Sequence, residues 1–222
     1  MSTSTPKKST RSSKPIDDQL APRRLPTQAR GQQSRELILR AAAEVIEAEG
    51  LDRLTTKRIA TAAGVSVGSV YQYFPNKEAV VCALTLQWLG LIRDKMDAMH
   101  PSNSGVPDVL AYLDLMSAEI REIYVGQPGL DPMINALYAI PSLNQLVRDH
   151  DEAVAASMSS AFKMLAPQAD PLEIEALSYT LLVVFHELTT EMLLRRPALR
   201  QQIEAQLRAC ALTLVNRLTA TS

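Results

Sequence analysis

Residues 56–74, TKRIATAAGVSVGSVYQYF, restrict this chain more tightly than any other stretch. Ile59, Ala63, Val65, Val70 and Tyr73 fall where two short helices that cross steeply bury apolar side chains against each other. Ala60 is small where a larger side chain would push the helices apart, and Gly64 can take the positive φ of a tight turn. Thr55 or Thr56 can cap a helix running through Ala63, and Ser66 can cap the next, to about Tyr73, before Pro75 stops it. The pattern alone fits an ordinary helical hairpin equally well. Surface chemistry moves the balance toward groove reading: Ser66, Ser69, Tyr71, Gln72 and Tyr73 offer donors or stacking edges, and Lys57, Arg58 and Lys77 surround them with positive charge.

The flanks are helical too. Leu37, Ile38, Ala41, Ala42, Val45 and Ile46 recur at helical spacing from Ser34 to a capping Gly50. Asn76 can cap a longer helix from near Lys77 to before Pro101, long enough to link two bodies. With LTTKRIATAAG before it, the run GVSVGSVYQYFPNKEAV closely resembles the DNA-binding domain of the TetR/AcrR family, over about residues 34–82. The resemblance implies phosphate contacts from Thr56, Tyr73 and Lys77, with Lys57 alongside. It places Ser66, Val67, Gly68, Ser69 and Gln72 at the major groove, and Tyr71 on both. Gln72 can bond bidentately to adenine, whereas Val67 either touches a thymine methyl or packs into the core.

Charge agrees with this division. Residues 1–74 hold 12 Lys+Arg against 7 Asp+Glu, leaving 11 against 17 for residues 75–222, so the halves carry +5 and −6. Residues 1–30 contain seven basic residues, two acids and four prolines, too polar a mixture to repay its ordering entropy; we read a disordered basic arm. Arg23, Arg24 and Arg30 on such an arm can reach a narrow minor groove or be merely solvated. There is no apolar stretch suited to a signal peptide or membrane span, and Cys82 and Cys210 lack metal-ligand spacing. The expectation is a cytoplasmic protein with no disulfide, no metal, no cofactor and no membrane partner.

Only 8 glycines and a wealth of Ala, Leu, Glu, Gln and Arg point to an all-α fold of about nine helices. After a loop at Pro101–Gly105, helical patterns recur at about 107–125, 131–139, 142–166, 171–195 and 197–219. The organisation expected is an arm (1–30), a three-helix helix-turn-helix domain (31–76) and a helical ligand-binding and dimerisation bundle (77–222). For a lipophilic effector the candidates are Trp88, Tyr112, Met116, Tyr138, Met158 and Phe162, each with ordinary core packing as the plainer reading. Leu199, Ile203, Leu207, Cys210, Leu214 and Leu218 form a stripe beside an apolar preceding helix, and the resemblance implies that these last two helices pair with a symmetry mate. Leu181, Phe185, Leu188, Leu207, Cys210 and Leu214 are the candidates for that seam. His186 and Glu187, polar inside an apolar helix, can face a ligand or the seam, with a satisfied core histidine as the plainer case. No nucleophile elbow, phosphate-binding loop or acid pair suggests an enzyme. The expected function is a sequence-specific regulator, a repressor that a small molecule releases from a palindromic operator. The alternatives are a DNA-binding dimer without a ligand and a helical enzyme or lipid carrier.

Overall fold

A computed structural model describes residues 29–130, 132–133, 141–193 and 195–220, and no strand occurs among them. The helices are α1 (Ala29–Glu49), α2 (Thr56–Ala62), α3 (Val67–Tyr73), α4 (Lys77–Met99), α5 (Pro101–Ser104), α6 (Val109–Gly126), α7 (Pro141–Leu165), α8 (Pro171–Leu193) and α9 (Pro197–Ala220), with a 3-10 turn at Leu51–Arg53. The all-helical expectation holds. Most of the expected arm and most of the helix expected at 131–139 lie outside the described residues.

Helix ends follow side-chain chemistry. Asn76 Oδ1 accepts from the Ala79 amide at 2.7 Å, and Asp108 Oδ1 does the same for Ala111 at 2.8 Å. Asp170 Oδ1 accepts from Leu172 and Glu173, with Pro171 at the first helical position. Two boundaries differ from expectation. α1 begins at Ala29, because Ser34 sits inside it and donates its hydroxyl to the Arg30 carbonyl rather than capping an end. The expected loop after Pro101 is a helical turn whose polar side chains serve the end of α4: Asn103 Nδ2 donates to the Asp97 carbonyl and Ser104 Oγ to that of Met99.

Two apolar clusters organise the molecule. The first gathers α1, α2 and α3 with Ala79–Leu84 of α4, and continues to Ile123 and Tyr124 of α6, Leu130, and Val147 of α7. The second joins Met96 and Met99 at the far end of α4 to α6, α7, α8 and α9 around Tyr112, Phe162 and Leu181. The core therefore does not break where α4 begins, and α4, α6 and α7 each run from one cluster into the other. No helix among the described residues is long and apolar enough to cross a membrane.

Candidate functional site

The short helices α2 and α3 meet as their spacing predicts, with Ile59, Ala60, Ala63 and Val70 buried between them and their surroundings. Gly64 takes φ 65°, and the Val65 amide donates to the Ala60 carbonyl at 3.0 Å, closing the turn. Thr55 Oγ1 accepts from the Arg58 amide at 3.2 Å, so Thr55 rather than Thr56 caps α2. Ser66 Oγ accepts from the Ser69 amide at 3.0 Å, and the two serine hydroxyls lie 2.8 Å apart. These serines hold the start of α3. Thr56 Oγ1 and the Tyr71 hydroxyl, 3.3 Å apart, tie the start of α2 to the middle of α3.

The outward face of α3 carries Val67, Gly68, Tyr71 and Gln72. Val67, 37% exposed, is a surface residue and not a core one. Tyr73 is the reverse case: it is packed in the first cluster and only 9% exposed. Lys57 is exposed, and Thr56 and Lys77 are half-buried beside the same face. Arg58 is ion-paired with Glu49, so α2 is held to α1 by a charge that sequence alone assigned to the positive surround. Phe74 is fully buried beneath the Arg35 guanidinium, 5.7 Å from the ring centroid, which fixes the exit from α3.

Below these helices α4, α6, α7 and α8 enclose a cavity of about 90 Å³. Trp88, Met116 and Met158 line it. Tyr112 and Phe162 do not: their rings pack edge to face, 5.7 Å apart, and fill the second cluster instead. Burial pushes the Tyr112 phenol up to about 12. Tyr138 lies outside the described residues. His186 lines the cavity with Nδ1 3.0 Å from the Tyr124 hydroxyl, whereas Glu187 is exposed on the outer surface.

Sequence reasoning missed His150, which lines the cavity at 5% exposure and whose Nδ1 has no hydrogen-bond partner among the described residues. Burial, with Arg93 and His186 close by, pushes its imidazole down to about 4 and keeps it neutral. A signal existed: Leu143, Val147, Val154 and Met158 form one buried stripe of α7, and His150 occupies the slot between Val147 and Val154.

The turn after α6 connects the cavity to the upper helices. The Gly129 amide donates to the Glu47 carboxylate at 2.7 Å, and a Cβ at Gly129, whose φ is +74°, would stand 2.6 Å from the Ala43 carbonyl oxygen. The turn lies directly on α1, and the next residue, Leu130, lines the cavity.

Comparison with known proteins places this geometry. The model of bacterial regulatory proteins of the tetR family matches residues 38–84, spanning α2, α3, most of α1 and the first turns of α4. The nucleoid occlusion factor SlmA of Edwardsiella ictaluri is 28% identical over 155 residues, 58% of this chain and 78% of that protein. A fatty acid metabolism regulator protein of Bacillus subtilis is 37% identical over 60 residues, covering 27% of this chain and 31% of its own. A TetR transcription regulator of Haloarcula marismortui shares the fold, with TM-score 0.68 at 18% identity over 84% of this chain and 98% of that one. Residues 38–84 are a TetR-family DNA-binding domain, and the chain is a DNA-binding transcription regulator.

The seam candidates on the last two helices differ in their exposure. Leu181, Phe185 and Leu207 are buried in the chain's own core, and the first two also line the cavity, so they offer little surface to a second copy. Leu188 and Leu214 are half-buried, and Cys210 is exposed. The inward line of α9 is Leu207, Ala211 and Val215, rotated from the leucine stripe. Arg200 folds back to donate to the carbonyls of Met192 and Arg195, and Arg208 grips Asp114 of α6 with two hydrogen bonds of 2.8 Å. That clamp also holds the Asp114 carboxyl below its usual range. The outward face of α8 instead carries Leu172, Tyr179 and Val183.

Proposed function

We propose that the chain is a homodimeric repressor that grips a palindromic operator through α3 of each copy and releases it when a small lipophilic molecule fills the cavity. The observation that carries this reading is the continuity between cavity and upper helices. Leu130 lines the cavity while Gly129, beside it, is bonded to α1, and α4 runs from the first apolar cluster past Trp88 and Met96 in the cavity wall. A molecule that fits one arrangement of that wall better than another shifts α4 and the 127–130 turn together. Ligand that fits both equally changes nothing. A coupling of about 1 to 3 kcal/mol weakens operator binding roughly 5- to 150-fold, enough to derepress a promoter without unfolding.

A seven-residue α3 contacts few base pairs, so sequence preference gains from a second copy on a second half-site. Thr56, Lys57 and Lys77 serve phosphates, while Val67, Gly68, Gln72 and the Ser66–Ser69 pair approach base edges, with Tyr71 between the two. The outer faces of α8 and α9 form the dimer seam. The chain works in the cytoplasm, by binding alone and without turnover.

Selection of DNA from a random pool by the purified chain tests the first half. A palindrome, bound with strong salt dependence, is the expected winner; no enrichment above non-specific binding rejects the reading. Titration of small lipophilic molecules against the bound winner tests the second half. If cavity ligands are found and none weakens operator binding, the chain is a DNA-binding dimer without an effector.

A further inference from the structure

The cavity is chemically uneven. Trp88, Met96, Met116, Met158, Leu181 and Phe185 give it an apolar body. Tyr124 of α6, His150 of α7 and His186 of α8 bring polar atoms to the same space. His186 and Tyr124 are paired with each other at 3.0 Å. His150 is different, because its Nδ1 is buried and unbonded among the described residues, and a buried polar atom without a partner is costly until something fills the gap.

The charges around it argue about what fills it. Arg93 is near enough to disfavour protonation of His150, and it opposes a cationic ligand head beside that ring. Asp151 also lines the cavity and opposes an anionic one, so the two charges together favour neither sign. Bringing either charge out of water into this mostly apolar space is costly in itself. A hydroxyl avoids all three penalties. It also both donates and accepts, so it satisfies Nδ1 of a neutral imidazole in either tautomer, which a carbonyl or an ammonium cannot.

We propose that the cavity takes an uncharged alcohol or phenol, with its apolar body among Trp88, Met116 and Met158 and its hydroxyl on Nδ1 of His150. The assignment rests on the reading of this cavity as the effector site and adds the chemical class of the effector. His150 selects for that class, and the His186–Tyr124 pair holds the neighbouring wall.

Trp88 is the chain's single tryptophan and lines the cavity, so its fluorescence reports occupancy in the full chain without DNA. Three probes of equal length, n-octanol, octanoate and n-octylamine, are titrated at pH 7.5. Octanol should bind at least about tenfold more tightly than either charged probe, given the cost of burying a charge. His150→Phe keeps a ring and removes both nitrogens, and should weaken octanol roughly tenfold, as loss of one buried hydrogen bond requires. If that variant does not fold, the ranking of the three probes on the native chain decides alone. Octanoate or octylamine binding as tightly as octanol, or no response to octanol, overturns the assignment. Operator release is read separately by anisotropy of labelled DNA. Octanol that occupies the cavity but leaves DNA bound defeats the effector reading and leaves the ligand class standing; octanoate that releases DNA where octanol does not bind defeats the class and leaves the effector reading standing.

Discussion

Gln72 and Lys77 flank the same surface but differ in what they can distinguish. A glutamine amide at the exposed end of α3 can pair with a base edge, whereas the role proposed for the Lys77 ammonium is on phosphate, which is the same at every base pair. Gln72→Ala should lower affinity for the selected operator by about 1 to 3 kcal/mol and relax preference at one base position. Lys77→Ala should weaken binding to all sequences alike and reduce the salt slope by about 1. Affinities on the operator and its single-base variants at several salt concentrations separate the two, and equal losses on every site for Gln72→Ala would end its readout role. His150 makes a different expectation, for stability. In the unfolded chain it takes up a proton near 6.5, and in the native chain only near 4, since burial, Arg93 of α4 and His186 of α8 all oppose the charge. Between these values the unfolded state binds more protons, so stability is full above about pH 6.5 and falls as the pH drops toward 4. Urea unfolding at pH 7 and pH 4.5 should show His150→Phe losing about 2 kcal/mol less than the native chain. An identical loss in both would mean that His150 is not buried and neutral.

Among the elements, the 127–130 turn is the one whose replacement should uncouple the two halves. Glu47→Ala removes the acceptor of the Gly129 amide but touches nothing in the cavity, so ligand occupancy read from Trp88 should persist while the ligand-induced loss of operator affinity shrinks. Gly129→Ala is harsher: it puts a side chain on a positive φ and against the Ala43 carbonyl, and should cost about 1 to 3 kcal/mol in thermal or urea unfolding. An unchanged ligand effect in Glu47→Ala would assign transmission to α4 alone. This turn was not legible in the sequence, because only the fold brings Gly129 to within reach of α1. The caps were, since Ser66, Asn76 and Asp170 announce helix starts by their own hydrogen-bonding groups. The same chemistry misled at 101–104, where Ser102, Asn103 and Ser104 resemble loop composition yet serve the carbonyls that end α4 and the short helix itself. Aromatic and methionine content picked out Trp88, Met116 and Met158 of the cavity lining and could not separate them from Tyr112 and Phe162, because Trp88 and Tyr112 differ only in whether a neighbour fills the space beside them. His150 was readable as a polar slot in an apolar stripe, and passed unread.

At the scale of the whole molecule, the proposed grip on two half-sites requires a second copy of the chain. Periodicity drew the seam of α8 and α9 along their most apolar lines, but a helix in a bundle has an inner and an outer partner, and the core claims the stronger line first. Leu181, Phe185 and Leu207 are spent inside the chain. What remains outward on α8 is Leu172, Tyr179 and Val183, spaced seven and four residues apart and therefore on one face, with Val183 57% exposed. A twofold axis beside α8 would set this face against its own copy, and each residue there would act twice because the contact is self-complementary. Val183→Glu then places a pair of like charges at the seam without disturbing a buried residue of the single chain. The expected outcome in sedimentation is a shift from dimer to monomer, with the helical spectrum unchanged. Because both half-sites must be held at once, operator affinity should fall steeply, while binding to non-specific DNA, which needs only one basic face, should fall less. A variant that remains dimeric with full operator affinity would move the seam off this face and onto the exposed side of α9, where Ala205 and Ala209 permit close approach of a second helix.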